Sequence, residues 1–200
     1  MARVSNPTAE PSDPVNKLIA YLISHKHWSP FEMANACVEI NTTRDIARQI
    51  LRHRSLHFQE FSQRYSVAPE VPVWSEPRLQ DTKNRQNSII TDDARLISSW
   101  QFWQERVWDV AWGAYQTCLK LGIAKELARK LLPEGLTQTK MYVNGTIRDW
   151  LHYLAVRTDG ATQYEHRIIA REVYEILKEN CPIVFEAAEQ ASLLKAADAN

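Results

Sequence analysis

The run from Thr91 to Gly122 limits the fold of this chain more than any other stretch. Thr91-Asp92-Asp93 offers short oxygen-bearing side chains to cap a helix, and Gly122 offers a stop, so one helix is predicted to about Leu121. Leu96, Trp100, Trp103, Val107, Ala111, Ala114 and Cys118 recur at helical spacing and make its predicted buried stripe. Phe102, Trp108, Trp112 and Tyr115 add apolar bulk away from that stripe. The plain reading of such an aromatic set is core. Its breadth predicts burial on more than one side, including against another subunit.

The other elements follow from shorter signals. Ser12-Asp13-Pro14 opens a helix, with Val15, Leu18, Ile19 and Leu22 as its stripe and an end near Ser24-His25-Lys26-His27. His25 and His27 lack a nearby carboxylate or Cys partner, so a solvated helix end outweighs a metal pair. Residues 34–40 alternate as in a half-buried strand. Residues 67–90 hold Pro69, Pro72 and Pro77 and read as a long loop of the kind that covers a site. A short helix runs from Ile123 to Leu132, ended by Pro133, and Lys140 to Val143 reads as a short strand. Asn144-Gly145-Thr146 opens a helix carrying Arg148, His152 and Arg157. Gln163 to Lys178 is another helix, with Ile169, Val173 and Ile176 as core, and a last helix starts at Pro182 and frays after Leu194. With residues 1–11 as a lead-in and 195–200 as a frayed tail, the expectation is one α+β domain over residues 1–200. Its helices pack on a small, mostly antiparallel sheet.

Between the first strand and the long loop lies the densest polar stretch, Arg52-His53-Arg54-Ser55-Leu56-His57-Phe58-Gln59-Glu60-Phe61-Ser62-Gln63-Arg64-Tyr65-Ser66. Upstream, Thr42-Thr43-Arg44-Asp45 reads as a helix start with Thr42 as cap. Ile46, Ala47, Ile50, Leu51 and Arg54 then share one face, and Arg48, Gln49, Arg52 and His53 another, so Gln49, Arg52 and His53 can address one object. Beyond Arg54 the spacing predicts an extended segment in which Glu60, Ser62 and Arg64 alternate. Arginines at a helix end followed by polar extended chain suit a phosphate-bearing ligand.

Composition narrows the choice. The 200 residues carry 24 Lys and Arg against 24 Asp and Glu, so the arginines form a local patch on a neutral chain. A nucleic-acid-binding module, the competing reading, would call for a basic domain and exposed aromatics. No apolar run reaches the length of a membrane span, and a polar, Pro-containing segment after Met1 does not read as a secretory signal. Cys37, Cys118 and Cys181 are odd in number and far apart, which argues against a disulfide framework or zinc spacing and for a reducing, cytoplasmic setting.

Arg52-His53-Arg54, then seven residues, then Ser62, resembles the signature of the flavin-dependent thymidylate synthase family. Glu60, Arg64 and Tyr65 fit as well. His27-Trp28-Ser29-Pro30-Phe31-Glu32 resembles the family's His-x-Ser/Thr-Pro-Phe-Glu segment. Leu127-Ala128-Arg129 before Leu132-Pro133, and later Arg148, Arg157 and Gln163, extend the resemblance over most of the chain. Ala2-Arg3-Val4-Ser5 resembles a segment that in the family follows a first strand, so that strand is expected to be missing here. Gln63 stands where the family often has Gly, and Phe58-Gln59 replaces a commoner aromatic–Asn pair.

The resemblance implies reductive methylation of deoxyuridylate (dUMP) to thymidylate (dTMP). Methylenetetrahydrofolate gives the carbon and flavin adenine dinucleotide (FAD), reduced by NADPH, gives the hydride. It also implies a homotetramer with interfacial active sites, no polymeric nucleic acid and no membrane. Residue by residue, it places His27, Ser29, Arg52, His53, Arg54, Glu60, Thr146, Ile147, Arg148 and His152 at the flavin. Gln49, Arg52, Glu60, Ser62, Gln63, Arg64, Arg129 and Arg157 fall at the nucleotide, Arg157 being the catalytic group beside the uracil ring. No metal is implied. Ser62 reads as a ligand donor, since no base is arranged beside it as a serine nucleophile requires. A family-shaped protein without activity is the remaining alternative, weighed against by the retention of these polar positions.

Overall fold

The structure is a computed structural model that describes residues 3–4 and 15–194. The helices are α1 (Val15–Ser24), α2 (Arg44–Ile50), α3 (Ala94–Lys120), α4 (Lys125–Ala128), α5 (Ile147–Arg157), α6 (Tyr164–Asn180) and α7 (Pro182–Gln190). The strands are β1 (Asn35–Thr43), β2 (His57–Glu60), β3 (Arg78–Gln80), β4 (Ser88–Ile90) and β5 (Gln138–Thr146), and short 3-10 turns cover Ser29–Met33 and Arg129–Leu131. The architecture is α+β, as expected: helices with a small antiparallel sheet. The main sheet has the order β1-β5-β2. Arg44 N–H donates to Thr137 at one end of the β1–β5 pair and Ile147 N–H to Ala34 at the other, so these two strands run antiparallel.

By its internal contacts the chain divides into two compact units. The first comprises Met1–Val38, His53–His57 and Val143–Asn200; the second comprises Glu39–Arg52 and Phe58–Tyr142. In the first, α1 packs on α7, α7 on α6, and α5 on α6 and on the Ser29–Met33 turn. Its core includes Trp150, Leu151, Leu154, Ala170 and Phe185. Helix α5 starts with a capping box: Thr146 Oγ1 accepts from Asp149 N–H while Asp149 Oδ2 accepts from Thr146 N–H and Oγ1–H. Trp150 Nε1–H donates to the Ala36 carbonyl at 3.0 Å, which fixes the roll of the helix. At Gly145, just ahead of the cap, a Cβ would run into the end of the buried Leu56 side chain, which would have to shift.

In the second unit α3 is capped by Asp93, whose Oδ1 accepts from the Arg95 and Leu96 N–H groups. It ends in a Schellman motif: Gly122 sits at φ +80°, Gly122 N–H donates to Leu119 and Ile123 N–H to Cys118. Its buried residues are Gln104, Trp108 and Tyr115, whereas Leu96, Trp100, Trp103 and Val107 of the predicted stripe are exposed. Both sides of α3 are apolar, and helical spacing alone does not say which one meets the rest of its own chain. The buried side does so at Tyr115, which packs with Ala68, Ala128 and Leu132 and whose hydroxyl accepts from the Ala68 N–H.

Other expectations need correction. Strand β1 runs on to Thr43, so α2 begins one residue later than predicted, with Thr43 in the cap position, and it ends at Ile50. Arg52 and Arg54 therefore lie in turns beyond the helix, with His53 between them, which removes the shared helical face assigned to Gln49, Arg52 and His53. The extended segment stops at Glu60; the Ser62 carbonyl accepts from Tyr65 and Ser66 N–H, so Arg64 sits in a turn. Part of the 67–90 loop is the antiparallel hairpin β3–β4, with Leu79 opposite Ile89. Strand β5 is longer than the 140–143 segment expected. In α1 the buried residues are Leu22 and Ile23 while Val15 is exposed, and in α6 Ile176 is exposed while His166, Ala170, Tyr174 and Leu177 join Val173 inside. The 12–14 helix start, most of the lead-in with its missing strand, and the 195–200 tail fall outside the described residues.

Candidate active site

The expected site residues fall into two groups, one in each unit. In the first unit α5, started by its capping box and held in roll by Trp150, presents two faces. Arg148 and His152 lie four apart on one, and Tyr153 and Arg157 on another. Arg148 Nη1–H donates to Glu32 Oε1 of the Ser29–Met33 turn, and Trp28, just before that turn, meets the His152 ring edge-on at 4.7 Å. Burial and then the Arg148 charge hold the His152 pKa below the usual imidazole value, against a smaller opposing pull from Asp149. His27, Ser29 and Arg54 are exposed. Thr146 is occupied by its capping box and Ile147 is buried, its N–H donating to Ala34.

The second face holds the central contact. Arg157 Nε–H donates to His53 Nε2 at 2.7 Å. A nitrogen that accepts from a guanidinium carries no proton, so His53 is neutral with its hydrogen on Nδ1. Burial and then the Arg157 charge both lower its pKa, in line with that state. The His53 ring stands edge-on to Tyr153 at 4.8 Å, and the Tyr153 hydroxyl is hydrogen-bonded to His166 Nε2 at 3.0 Å. His166 has no exposed surface; its pKa is pushed down to about 4 by burial first, then by Arg157 and His53. Burial holds the Tyr153 hydroxyl protonated.

The second unit gathers Gln49, Arg52, Glu60, Ser62, Gln63, Arg64 and Arg129. Glu60 ends β2 and accepts from Arg44 Nη1–H at 3.3 Å and from the buried Thr139 hydroxyl at 2.9 Å. Ser62 Oγ accepts from the Arg64 N–H within the turn. Gln63 is only 2% exposed, yet its side-chain Nε2 is buried without a hydrogen-bond partner. Asp45 Oδ1 is in the same condition. Arg64 Nε lies 3.4 Å from Glu126 Oε2, and both line an open cavity of about 600 Å³ with Tyr65, Val67, Ile123 and Lys125. Arg52 is exposed, and Arg129 is half-buried in its 3-10 turn.

Tyr153, His166, Glu32, Arg44 and Thr139 were not singled out from sequence as working residues. Tyr153 could have been, since it precedes Arg157 by four on a helix. The others meet their partners only through the fold. His25 and His27 are exposed, and among the described residues no group of His, Cys, Asp and Glu could hold a metal ion. No helix there is long and apolar enough to cross a membrane.

Known proteins resemble the chain in sequence and in fold. The family described as thymidylate synthase complementing protein matches residues 1–183. The chain is 47% identical over 188 residues to the flavin-dependent thymidylate synthase of Synechocystis sp., covering 94% of this chain and 86% of that protein. It is 45% identical over 189 residues to a protein of Paramecium bursaria Chlorella virus 1 named "Probable flavin-dependent thymidylate synthase", covering 94% and 87%. Among solved structures it is similar to the UMP/dUMP methylase PolB from Streptomyces cacaoi bound with 5-Br UMP. The TM-score is 0.83 at 25% identity, over 92% of this chain and 87% of that one.

Proposed function

We propose that this chain, which belongs to the thymidylate synthase complementing protein family, is a flavin-dependent thymidylate synthase converting dUMP to dTMP. The observation that carries the reading is the hydrogen bond from Arg157 to His53 of the Arg-His-Arg signature. As carbon 5 of uracil becomes nucleophilic, negative charge gathers on the ring carbonyls and must meet donors already in place. His53 takes the Nε–H of Arg157 and leaves the two terminal nitrogens, with their planar fork, for the ring. Because His53 is a neutral acceptor, the guanidinium keeps its full charge.

The second unit supplies the anion-binding groups. Arg52, Arg64 and Arg129 take the phosphate, Ser62 and Gln49 donate to the nucleotide, and the unpartnered amide of Gln63 is a ready donor. Arg44 and Thr139 hold Glu60 at the end of β2, where it orients the substrate.

The donor set of the first unit fits a flavin. Exposed Arg54 and half-exposed Arg148 are cations for a pyrophosphate, and Trp28 and His152 offer ring faces and edges for a flat heterocycle. We assign His27, Ser29, Arg54, Arg148 and His152 to this role, with Thr146 and Ile147 anchoring the helix start. Arg52, His53 and Glu60 serve the cofactor as well. The flavin, as FAD, supplies the hydride that NADPH delivers, and methylenetetrahydrofolate supplies the carbon. The broad exposed apolar side of α3 supports a homotetramer with interfacial active sites, the chain acting as one catalytic domain. Three unpaired cysteines are in keeping with the cytoplasm.

The test is an absorption spectrum of the purified protein followed by an assay with dUMP, methylenetetrahydrofolate and NADPH. Bound flavin and thymidylate formation are the expected results. A flavin-loaded protein that makes no thymidylate from all three would overturn the reading.

A further inference from the structure

We infer that the buried Tyr153–His166 pair is a positioning device that fixes the His53 ring and, through it, the guanidinium of Arg157. The inference rests on the reading of Arg157 as the group at the uracil ring. The geometry is a chain of four side chains, all in the first unit. His166 joins the Tyr153 hydroxyl at 3.0 Å, the Tyr153 ring packs edge-on to His53 at 4.8 Å, and His53 Nε2 receives Arg157 Nε–H at 2.7 Å. The two inner members are sealed, His166 at 0% and Tyr153 at 2% exposed, while His53 and Arg157 are half-buried. Two helices contribute: Tyr153 and Arg157 come from α5 and His166 from the first turn of α6.

A polar pair placed that deep calls for a reason. A phenol and an imidazole in the core each lose water contacts that their mutual bond only partly returns, and a Phe–Leu pair of similar volume would fill the space without that cost. What the polar pair supplies is direction. The bond to His166 fixes where the tip of the Tyr153 ring lies, and that ring is the wall against which His53 stands. His53 has one neutral tautomer that can accept from Arg157, and only a narrow range of ring angles brings Nε2 in line with that N–H. A rotated His53 would release Arg157 Nε, and the fork would lose its fixed plane.

Tyr153→Phe keeps the ring and removes the bond to His166; His166→Gln keeps a polar end group and removes the imidazole. Each is expected to lower kcat for thymidylate formation about tenfold per folded, flavin-loaded site, with KM for dUMP changed less than about twofold, as for a group whose effect is felt in the transition state. The Tyr153→Phe effect should largely vanish in an Arg157→Lys background, because both changes disturb one unit. A parallel measurement needs no turnover. In full-length protein with ¹⁵N-labelled histidine, His53 should show a protonated Nδ1 and an unprotonated Nε2, and Tyr153→Phe should shift its Nε2 resonance. Unchanged kcat in both variants, effects that add to that of Arg157→Lys, or a His53 Nε2 resonance indifferent to Tyr153→Phe would each overturn the inference. If the parent protein itself makes no thymidylate, the functional reading fails instead, and the ¹⁵N measurement still decides whether Tyr153 sets His53.

Discussion

His53 and Arg52 are neighbours in the chain and differ in almost every physical respect. His53 is half-buried, uncharged, wedged against Tyr153 and bonded to Arg157; Arg52 is exposed and charged. The contrast extends to the units they belong to. All six histidines lie in the first unit, and its inner site residues are tied to one another. In the second unit Arg52 stands in the open and Arg64 lies beside the carboxylate of Glu126. The first arrangement suits charge that develops during a reaction, because donors fixed beforehand need no reorganisation when it appears. The second suits charge that arrives with the ligand, because long exposed cations can swing onto a phosphate and exchange one anionic partner for another.

The largest effect should come from the fixed group. Arg157→Ala is expected to lower thymidylate formation by about a hundred- to a thousandfold, the usual cost of removing a preorganised donor. Flavin reduction by NADPH without nucleotide should survive, since it does not involve the uracil. Arg157→Lys keeps the charge but loses the fork and the Nε–H that His53 accepts, so rescue should be partial. Separate assays of the two half-reactions check this, and parent-rate thymidylate formation in Arg157→Ala would remove the residue from the mechanism.

Acid should act on the same region next. His166 is pushed down to about 4 in the folded protein against an ordinary 6.5, so between these values the unfolded chain binds the extra proton. Its contribution is complete above pH 6.5 and is lost as pH falls toward 4, about 3 kcal/mol in all. Urea unfolding at steps across that window, with His166→Gln as the reference, should show a steeper loss in the parent. Parallel curves for the two proteins would contradict it.

In the second unit, Arg52→Ala should raise the dissociation constant for dUMP about ten- to a hundredfold, the range for losing a charge-assisted bond to phosphate. Titration calorimetry measures it, and unchanged affinity would mean that Arg52 serves something else.

How far each region was legible follows from what fixes it. The Arg52–Ser62 signature, the α3 limits at Asp93 and Gly122 and the helix after Thr146 are local, set by residues within a few positions, and the sequence displays them. The end of α2 was misread because Leu51 to Arg54 keep a helical spacing while the chain turns after Ile50. The buried side of α3 was misread because two apolar sides compete, and the contact of Tyr115 with Ala68 that decides between them spans 47 residues. Tyr153–His166 and Glu60–Thr139 were hidden for the same reason: each joins residues on separate elements.

The smallest effect has an unusual sign and bears most directly on the contrast. If Arg64 is a cation held beside Glu126 until an anion comes, the carboxylate competes with the nucleotide. Both side chains are more than half exposed, so water and salt screen the pair and it adds little to stability. Glu126→Gln keeps the shape and removes the competing charge. It should therefore tighten dUMP binding by about two- to threefold at low salt, with the gain fading as salt rises, and leave the unfolding midpoint nearly unchanged. Arg64→Ala should act in the opposite direction. Weaker dUMP binding in Glu126→Gln would show that the carboxylate orients Arg64 for the phosphate, and the second unit would then be as preassembled as the first.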